Sequence, residues 1–414
     1  MTEQPVKPPE AARPQRRTEL DAIRLLVVLG LVFFHSALVF DARDDYYVKN
    51  PETTDVTTIL AGLGVVWAMP MLFLISGLGA WHSLRRRGPG AFSQERLVRL
   101  GVPLVFATLV LMPLPQWLRQ RSADSGDDES YWRFLPQFFD VHLDLGEFPF
   151  ILQGEHFETG HLWFVVLLLT FSLLLAALVR LLRPERGRLL GDWFGSMLRW
   201  RGGSLLQGIP IVVISAFIGL EESFAGWSRW AYLLFFLYGF VLASDDRFRS
   251  AMRRDAVLAA GCGLATFPLA APGFMLADDP FTDMTALSIG TRAVFGAAGW
   301  CWLVAILGLL DRRRQRSDDA AQSPPAPGRR RLYGYLAAAV LPLYILHQPI
   351  VVGVAYFVVD WDASIPVKYA ALVAVALALT LAVYDLAVRR TRVTRFLFGM
   401  RGPTQPARLS QRSG

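Results

Sequence analysis

Cysteine is almost absent from this 414-residue chain: only Cys262 and Cys301 occur, both inside apolar blocks. No disulfide framework is therefore implied. Several signatures of soluble enzymes are missing as well. The chain has no G-x-x-x-x-G-K-S/T phosphate loop, no H-E-x-x-H zinc helix and no G-x-S-x-G nucleophile elbow. No set of Cys and His has metal-ligand spacing, so no metal is expected. No internal repeat of a solenoid or propeller is detectable, and the two halves of the chain do not match.

What is present is hydrophobic length. The chain is 53% hydrophobic with a net charge of +7. A soluble chain of this size would divide into two or three domains. Here the apolar residues come in blocks of about 18–25, enough to cross roughly 30 Å of hydrocarbon at 1.5 Å per residue. Ten spans are expected, at about 20–40, 57–82, 98–118, 161–182, 204–220, 228–244, 254–275, 286–310, 332–357 and 366–388. The fold class is an all-α, polytopic membrane helix bundle. The first block is too long for a signal-peptide core and has no small-residue cleavage site before Asp41, so it reads as a retained helix.

The positive charge does not point to nucleic acid, because the arginines sit in short clusters between apolar blocks. "RRRGPGAFSQERLVR", "RPERGR", "DDRFRSAMRR" and "DRRRQR" alternate with acidic "DARDD", "SADSGDDES", "EES", "DDPFTD" and "DWD". Lys and Arg stay on the cytoplasmic side, so both termini are expected there. Residues 1–18 and 391–414 read as basic tails around a membrane domain at 19–390. Within that domain, 311–331 reads as a cytoplasmic linker. The aromatic-rich segment 119–160 reads as an outer loop forming interfacial or re-entrant helices.

Several ionisable residues lie inside the apolar blocks, where each costs roughly 2.5–3.5 kcal/mol on insertion scales. Arg24 and His35 in "RTELDAIRLLVVLGLVFFHSALVF" are eleven residues apart, which on a helix places them on one face and roughly 16 Å apart. Arg24 can snorkel, and alone it would serve equally as an anchoring cation. His35 is too short to snorkel; it is either a hydrogen-bonded core imidazole or a general base toward a hydroxyl.

Arg96 and Arg99 form an R-x-x-R pair on one helix face. Their forked donors suit phosphate, although anchoring a helix end is the commoner role of such a pair. Glu158, His161 and Trp163 lie in "FETGHLWFVV", where an interfacial aromatic belt is the alternative. His347 lies in "YILHQPIVV", where Pro349 weakens the helix. "MPMLFLISGLGAW" offers small residues for close helix packing.

In order along the chain, "LDAIRLLVVLGLVFFH", "FLISGL", "FSQERLVRLGVP", "GHLWFVVLLL" and "LPLYILHQPIV" resemble the acyltransferase 3 family of integral membrane O-acyltransferases. The resemblance runs over roughly residues 18–390. "SLRRRGPGAFSQERLVRLGVPL" and "TGHLWF" look closest to the branch that contains glucans biosynthesis protein C. The spacing from His35 to Asp41 is one residue too long for the H-x-x-x-x-D pattern of glycerolipid acyltransferases.

The resemblance implies a multi-pass protein of the bacterial inner membrane. It would take an acyl group from cytoplasmic acyl-CoA, acetyl-CoA or succinyl-CoA, to a hydroxyl of an exported glycan, lipid or small molecule. Arg96 and Arg99 would grip the donor's phosphates and Arg24 would help hold it. His35 would act as base, with His161, His347 and Glu158 completing the catalytic set. The C-terminal "RGPTQPARLSQRSG" carries no SGNH hydrolase-like domain, so any second transfer step would need another protein. A transporter with Arg24, His35 and His347 along its path is the competing expectation.

Overall fold

In a computed structural model the described residues are 18–43, 45–123, 129–181, 195–320 and 327–400. The expected tails at 1–17 and 401–414, and parts of the 119–160 and 311–331 segments, lie outside them. Most of what is described is helix.

Helix α1 (Thr18–Leu38) begins with Glu19 and Asp21 in its first turn, where carboxylates favour the positive helix end. At its other end Lys49 Nζ donates to Leu38 O at 2.9 Å and to Asp41 O, so a cation caps the helix that carries His35. Next come α2 (Asp55–Val65) and α3 (Ala68–Arg96), separated by a break at residues 66–67 within the expected second span. A π-helical turn, Leu97–Gly101, leads into α4 (Val102–Val110).

The expected loop at 85–99 is nearly all helix, reduced to one reversal. Gly88 has φ 76° and is followed by Pro89. Ser83 Oγ then lies 3.2 Å from Glu95 Oε2, whereas twelve residues of straight helix would separate them by about 18 Å. Only glycine adopts that φ without strain, and proline cannot donate back into the preceding turn.

Helices α5 (Pro113–Ala123) and α6 (Tyr131–Phe138) precede a two-residue antiparallel ladder, β1 (His142–Leu143) with β2 (Leu152–Gln153), in register His142↔Gln153. The 119–160 segment is thus partly helical as expected, but it also holds the described strands. A 3₁₀ turn, Gly160–Leu162, opens α7 (Trp163–Leu181). Then follow α8 (Gly203–Leu206), α9 (Ile209–Phe217), α10 (Arg229–Leu242), α11 (Asp246–Leu276) and α12 (Ala286–Ala320). The chain ends with α13 (Pro327–Val358), α14 (Ile365–Val383), a second π turn Tyr384–Val388, and α15 (Arg392–Leu397).

Among the described residues seven segments are long and apolar enough to cross a membrane: Glu19–Leu38, Asp55–Ala123, Gly160–Leu181, Asp246–Leu276, Ala286–Arg316, Gly334–Val358 and Ile365–Val388. The second is 69 residues long and contains α2 to α5 with the Gly88 reversal. The blocks expected at 204–220 and 228–244 yield shorter helices. Gly208 and Pro210 start α9 afresh, and Gly219 at φ 95° follows its end. Nine residues rise only about 14 Å.

Glycine sets the closest helix contacts. A Cβ on Gly77 of α3 would lie 1.9 Å from Phe236 O, and one on Gly239 of α10 would lie 1.8 Å from Leu74 O. The small residues of "LISGLG" therefore serve packing. Helices α11 and α12 run antiparallel in the same manner, with Gly308 against Met252 O and Gly273 against Thr291.

Two boundaries differ from expectation. Helix α12 continues through the arginine cluster to Ala320 because Asp311 accepts from both Arg249 and Arg253 at 2.8 Å, tying that stretch to α11. Residues 392–400, expected to belong to a tail, pack on the bundle: Phe398 is buried against Phe106, with ring centroids 5.4 Å apart.

Candidate active site

Three histidines from three distant parts of the chain converge. The rings of His35 (α1) and His347 (α13) have centroids 5.1 Å apart, and those of His347 and His161 are 4.9 Å apart. His161 and His347 are buried, and His35 is half-buried at the wall of a cavity. Tyr46 stacks on the His35 ring at 5.8 Å.

The local cause of this meeting is Pro349. Proline has no N–H, so the carbonyl four residues earlier, Ile345 O, loses its helical donor. His161 supplies the replacement, its Nε2–H donating to Ile345 O at 3.2 Å. Gln348 Oε1 accepts from the His161 backbone N–H at 3.1 Å, and the Tyr344 hydroxyl donates to His161 O. Tyr344, Ile345 and Gln348 of "YILHQP" thus clamp the 3₁₀ turn that carries His161. The sequence marked His347 and Pro349; the roles of Tyr344 and of the Ile345 carbonyl are visible only in the fold.

The hydrogen bonds also fix where protons sit. His347 Nδ1–H donates to Tyr344 O, which leaves Nε2 as the acceptor nitrogen of the neutral ring. His161 donates through Nε2, which leaves Nδ1 as the acceptor. His347 Nε2, His161 Nδ1 and His35 Nδ1 are buried and have no hydrogen-bond partner among the described residues. Buried polar atoms are nearly always paired, so three open nitrogens in one cluster need an explanation. Among the described residues no group of three His, Cys, Asp or Glu side chains is arranged to hold a metal ion.

Glu158 is close in sequence to His161 but belongs to a separate network. It accepts from the Tyr47 hydroxyl and from Gln116 Nε2 at 2.6 Å, and Arg119 lies 3.8 Å away. Burial, with Glu158 alongside, pushes the Tyr47 phenol well above its ordinary range, so it remains a donor. The Tyr47 ring packs on Tyr46, and Tyr46 packs on His35. Two aromatic rings therefore lie between Glu158 and His35. Trp163 is buried among Phe73, Phe224 and Tyr232 rather than lying in an interfacial belt.

The arginines lie toward the other end of α1. Arg24 donates to Asp21 at 3.3 Å and to Ile75 O of α3 at 3.0 Å. Arg96 packs over Phe92 at 5.0 Å. Arg96 and Arg99 are half-buried, whereas Leu97 and Val98 between them are 49% and 44% exposed. The two guanidinium groups therefore lie on the inner side of the π turn, a geometry common at functional sites.

A polytopic helical protein with imidazoles beside a cavity and arginines toward one helix end defines the class. Residues 17–385 match the family profile described as an acyltransferase domain, acyltransferase 3, and the chain belongs to that family. No curated protein and no solved structure matches the chain.

Proposed function

We propose that this membrane acyltransferase moves an acyl group from cytoplasmic acyl-CoA to a hydroxyl on the far side of a bacterial inner membrane, with His35 as general base. The observation that carries this reading is the convergence of His35, His347 and His161 at a cavity in a chain of this family. Charge alternation supports a cytoplasmic position for both termini, with Arg24, Arg96 and Arg99 on the donor side and Glu158 on the acceptor side.

In the proposed step His35 takes the proton of the acceptor hydroxyl, and that oxygen attacks the thioester carbonyl. The C–O bond forms as the C–S bond breaks, and the departing CoA thiolate takes the proton from the imidazolium. Ester and free CoA thiol are the products. His347 and His161 turn open acceptor nitrogens into the same cluster, and their lone pairs favour the positive charge that forms on His35. Burial keeps bulk water from hydrolysing the acyl group. Arg96 and Arg99 would hold the donor phosphates through forked donors, and Arg24 would steady the donor roughly 16 Å from His35. Glu158, through Tyr47 and Tyr46, would set the acceptor-side wall of the His35 site. The resemblance names acetyl and succinyl as acyl groups, and an exported glycan, lipid or small molecule as acceptor.

The test is free-thiol release by the purified full chain in lipid nanodiscs, offered a series of acyl-CoA donors with and without glucan or glycolipid acceptors. His35→Ala serves as control. Release by the wild type alone is expected; equal release by a folded His35→Ala protein would end the general-base assignment.

A further inference from the structure

The cavity at His35 has a volume of about 280 Å³ and lies between α1, α2, the start of α3 and the 3₁₀ turn of His161. Its wall is apolar except at one end, where His35, His161 and Tyr344 stand. An apolar protein cavity of about 150 Å³ holds one benzene. The space beside His35 thus accommodates on the order of ten carbons, far more than the two of an acetyl group.

Its chemistry is as informative as its size. Among the lining residues none is lysine or arginine. The carboxylate of a succinyl group would stand there without a counter-charge in a medium that solvates it poorly. Two glycines border the space. Gly30 on α1 and Gly64 on α2 both line it, and a Cβ on either would meet no heavy atom within 4 Å. Neither glycine has the positive φ that would require one. Gly30 is exposed and Gly64 half-buried, so a longer side chain at either position would extend into the space rather than against a neighbour. The mouth includes Leu26, which is 63% exposed, and exposed Ile59 and Leu63 continue the apolar surface along α2.

We propose that this cavity is the acyl-chain pocket and that it selects donors with an unbranched apolar chain of about six to ten carbons over acetyl or succinyl. This rests on the acyl-transfer reading, which supplies the thioester at His35. With the carbonyl at the imidazole end, the chain runs along Leu31 and Val27 between the two glycines. Each buried methylene is worth roughly fourfold in affinity, so filling the pocket gives a steep dependence on chain length.

The experiment uses the full chain in nanodiscs with acetyl-, butyryl-, hexanoyl-, octanoyl-, decanoyl- and succinyl-CoA. The wild type is expected to show at least a tenfold higher kcat/KM with octanoyl-CoA than with acetyl-CoA. Gly30→Leu and Gly64→Leu, which fill open space, are expected to fold normally and move the best donor to butyryl or shorter. An acetyl or succinyl optimum in the wild type, or an optimum unmoved in both variants, would overturn the proposal.

A second arm is independent of turnover. Octanoyl-CoA with a terminal diazirine is photolysed on the protein and the labelled peptides are mapped. Label between residues 26–34 and 64–69, reduced in Gly30→Leu, supports the pocket; label elsewhere overturns it. If that label appears while no donor in the series is consumed, the pocket stands and the acyl-transfer reading fails.

Discussion

Arg292 and the three histidines are both polar features buried in apolar helices, yet they are treated in opposite ways. Arg292 is fully buried in α12 and almost saturated with partners. Its Nε and Nη2 donate to Ala216 O at 3.2 and 2.9 Å, and Nη1 donates to Pro280 O at 3.1 Å. Ala216 O belongs to the last turn of α9, where carbonyls have no helical donor, so the guanidinium caps that short helix. His35, His347 and His161 instead keep one nitrogen each without a partner. A group that must exchange a proton needs an open site. Burial alone therefore does not identify chemistry in this protein; what sets this cluster apart is that three imidazoles, each with an open nitrogen, meet beside one cavity.

The sharpest test of that contrast is a pair of substitutions with opposite readouts. His35→Ala should lower turnover by about 10²–10⁴-fold, the usual contribution of a general base, with little change in thermal unfolding. Loss of stability with intact specific activity would reverse the roles assigned here. Arg96→Ala and Arg99→Ala come next, each expected to raise the donor KM by roughly ten- to a hundredfold, since hydrogen bonds to charged groups contribute about 1.5–3 kcal/mol. An unchanged donor KM in both would make them anchors like any helix-end arginine.

Arg292→Met belongs on the structural side of the comparison. It orphans the Ala216 and Pro280 carbonyls, and each unsatisfied buried group costs about 1–3 kcal/mol. A lower unfolding temperature with unchanged activity per folded molecule is expected, read by tryptophan fluorescence alongside initial rates. The smallest effect is that of Pro349→Ala. It returns an N–H to compete for Ile345 O, so His161 loses its hold while α13 gains a helical bond. A fall in turnover of less than about tenfold is expected, with stability unchanged or higher. A loss of stability would show that the proline serves the fold rather than the site.

These contrasts bear on what was legible beforehand. His35, His161 and His347 stood out in the sequence because ionisable side chains in apolar blocks are expensive. Arg292 does not stand out in the sequence, since it lies near a block's end, where any arginine resembles an anchor. Glu158 and His161 are neighbours in sequence, but the chain turns between them at Gly160, whose φ is 47°. The carboxylate and the imidazole consequently point into different networks. Helix lengths in the 204–244 region were misjudged for a related reason: hydropathy averages across Gly208, Pro210 and Gly219, whereas the backbone does not.

The sequence by itself determined that this is a helical membrane protein, which apolar blocks are costly to interrupt, and which residues match the acyltransferase 3 family. Those are properties of local composition, read at the scale of one helix turn or one bilayer thickness. Only the tertiary structure decided that residues 35, 161 and 347 share one site, and that a proline-freed carbonyl clamps His161. It also decided that two glycines leave a chain-sized space beside His35. Such facts depend on how elements separated along the chain pack, and side-chain volume and hydrogen-bond satisfaction become definite only once their neighbours are in place.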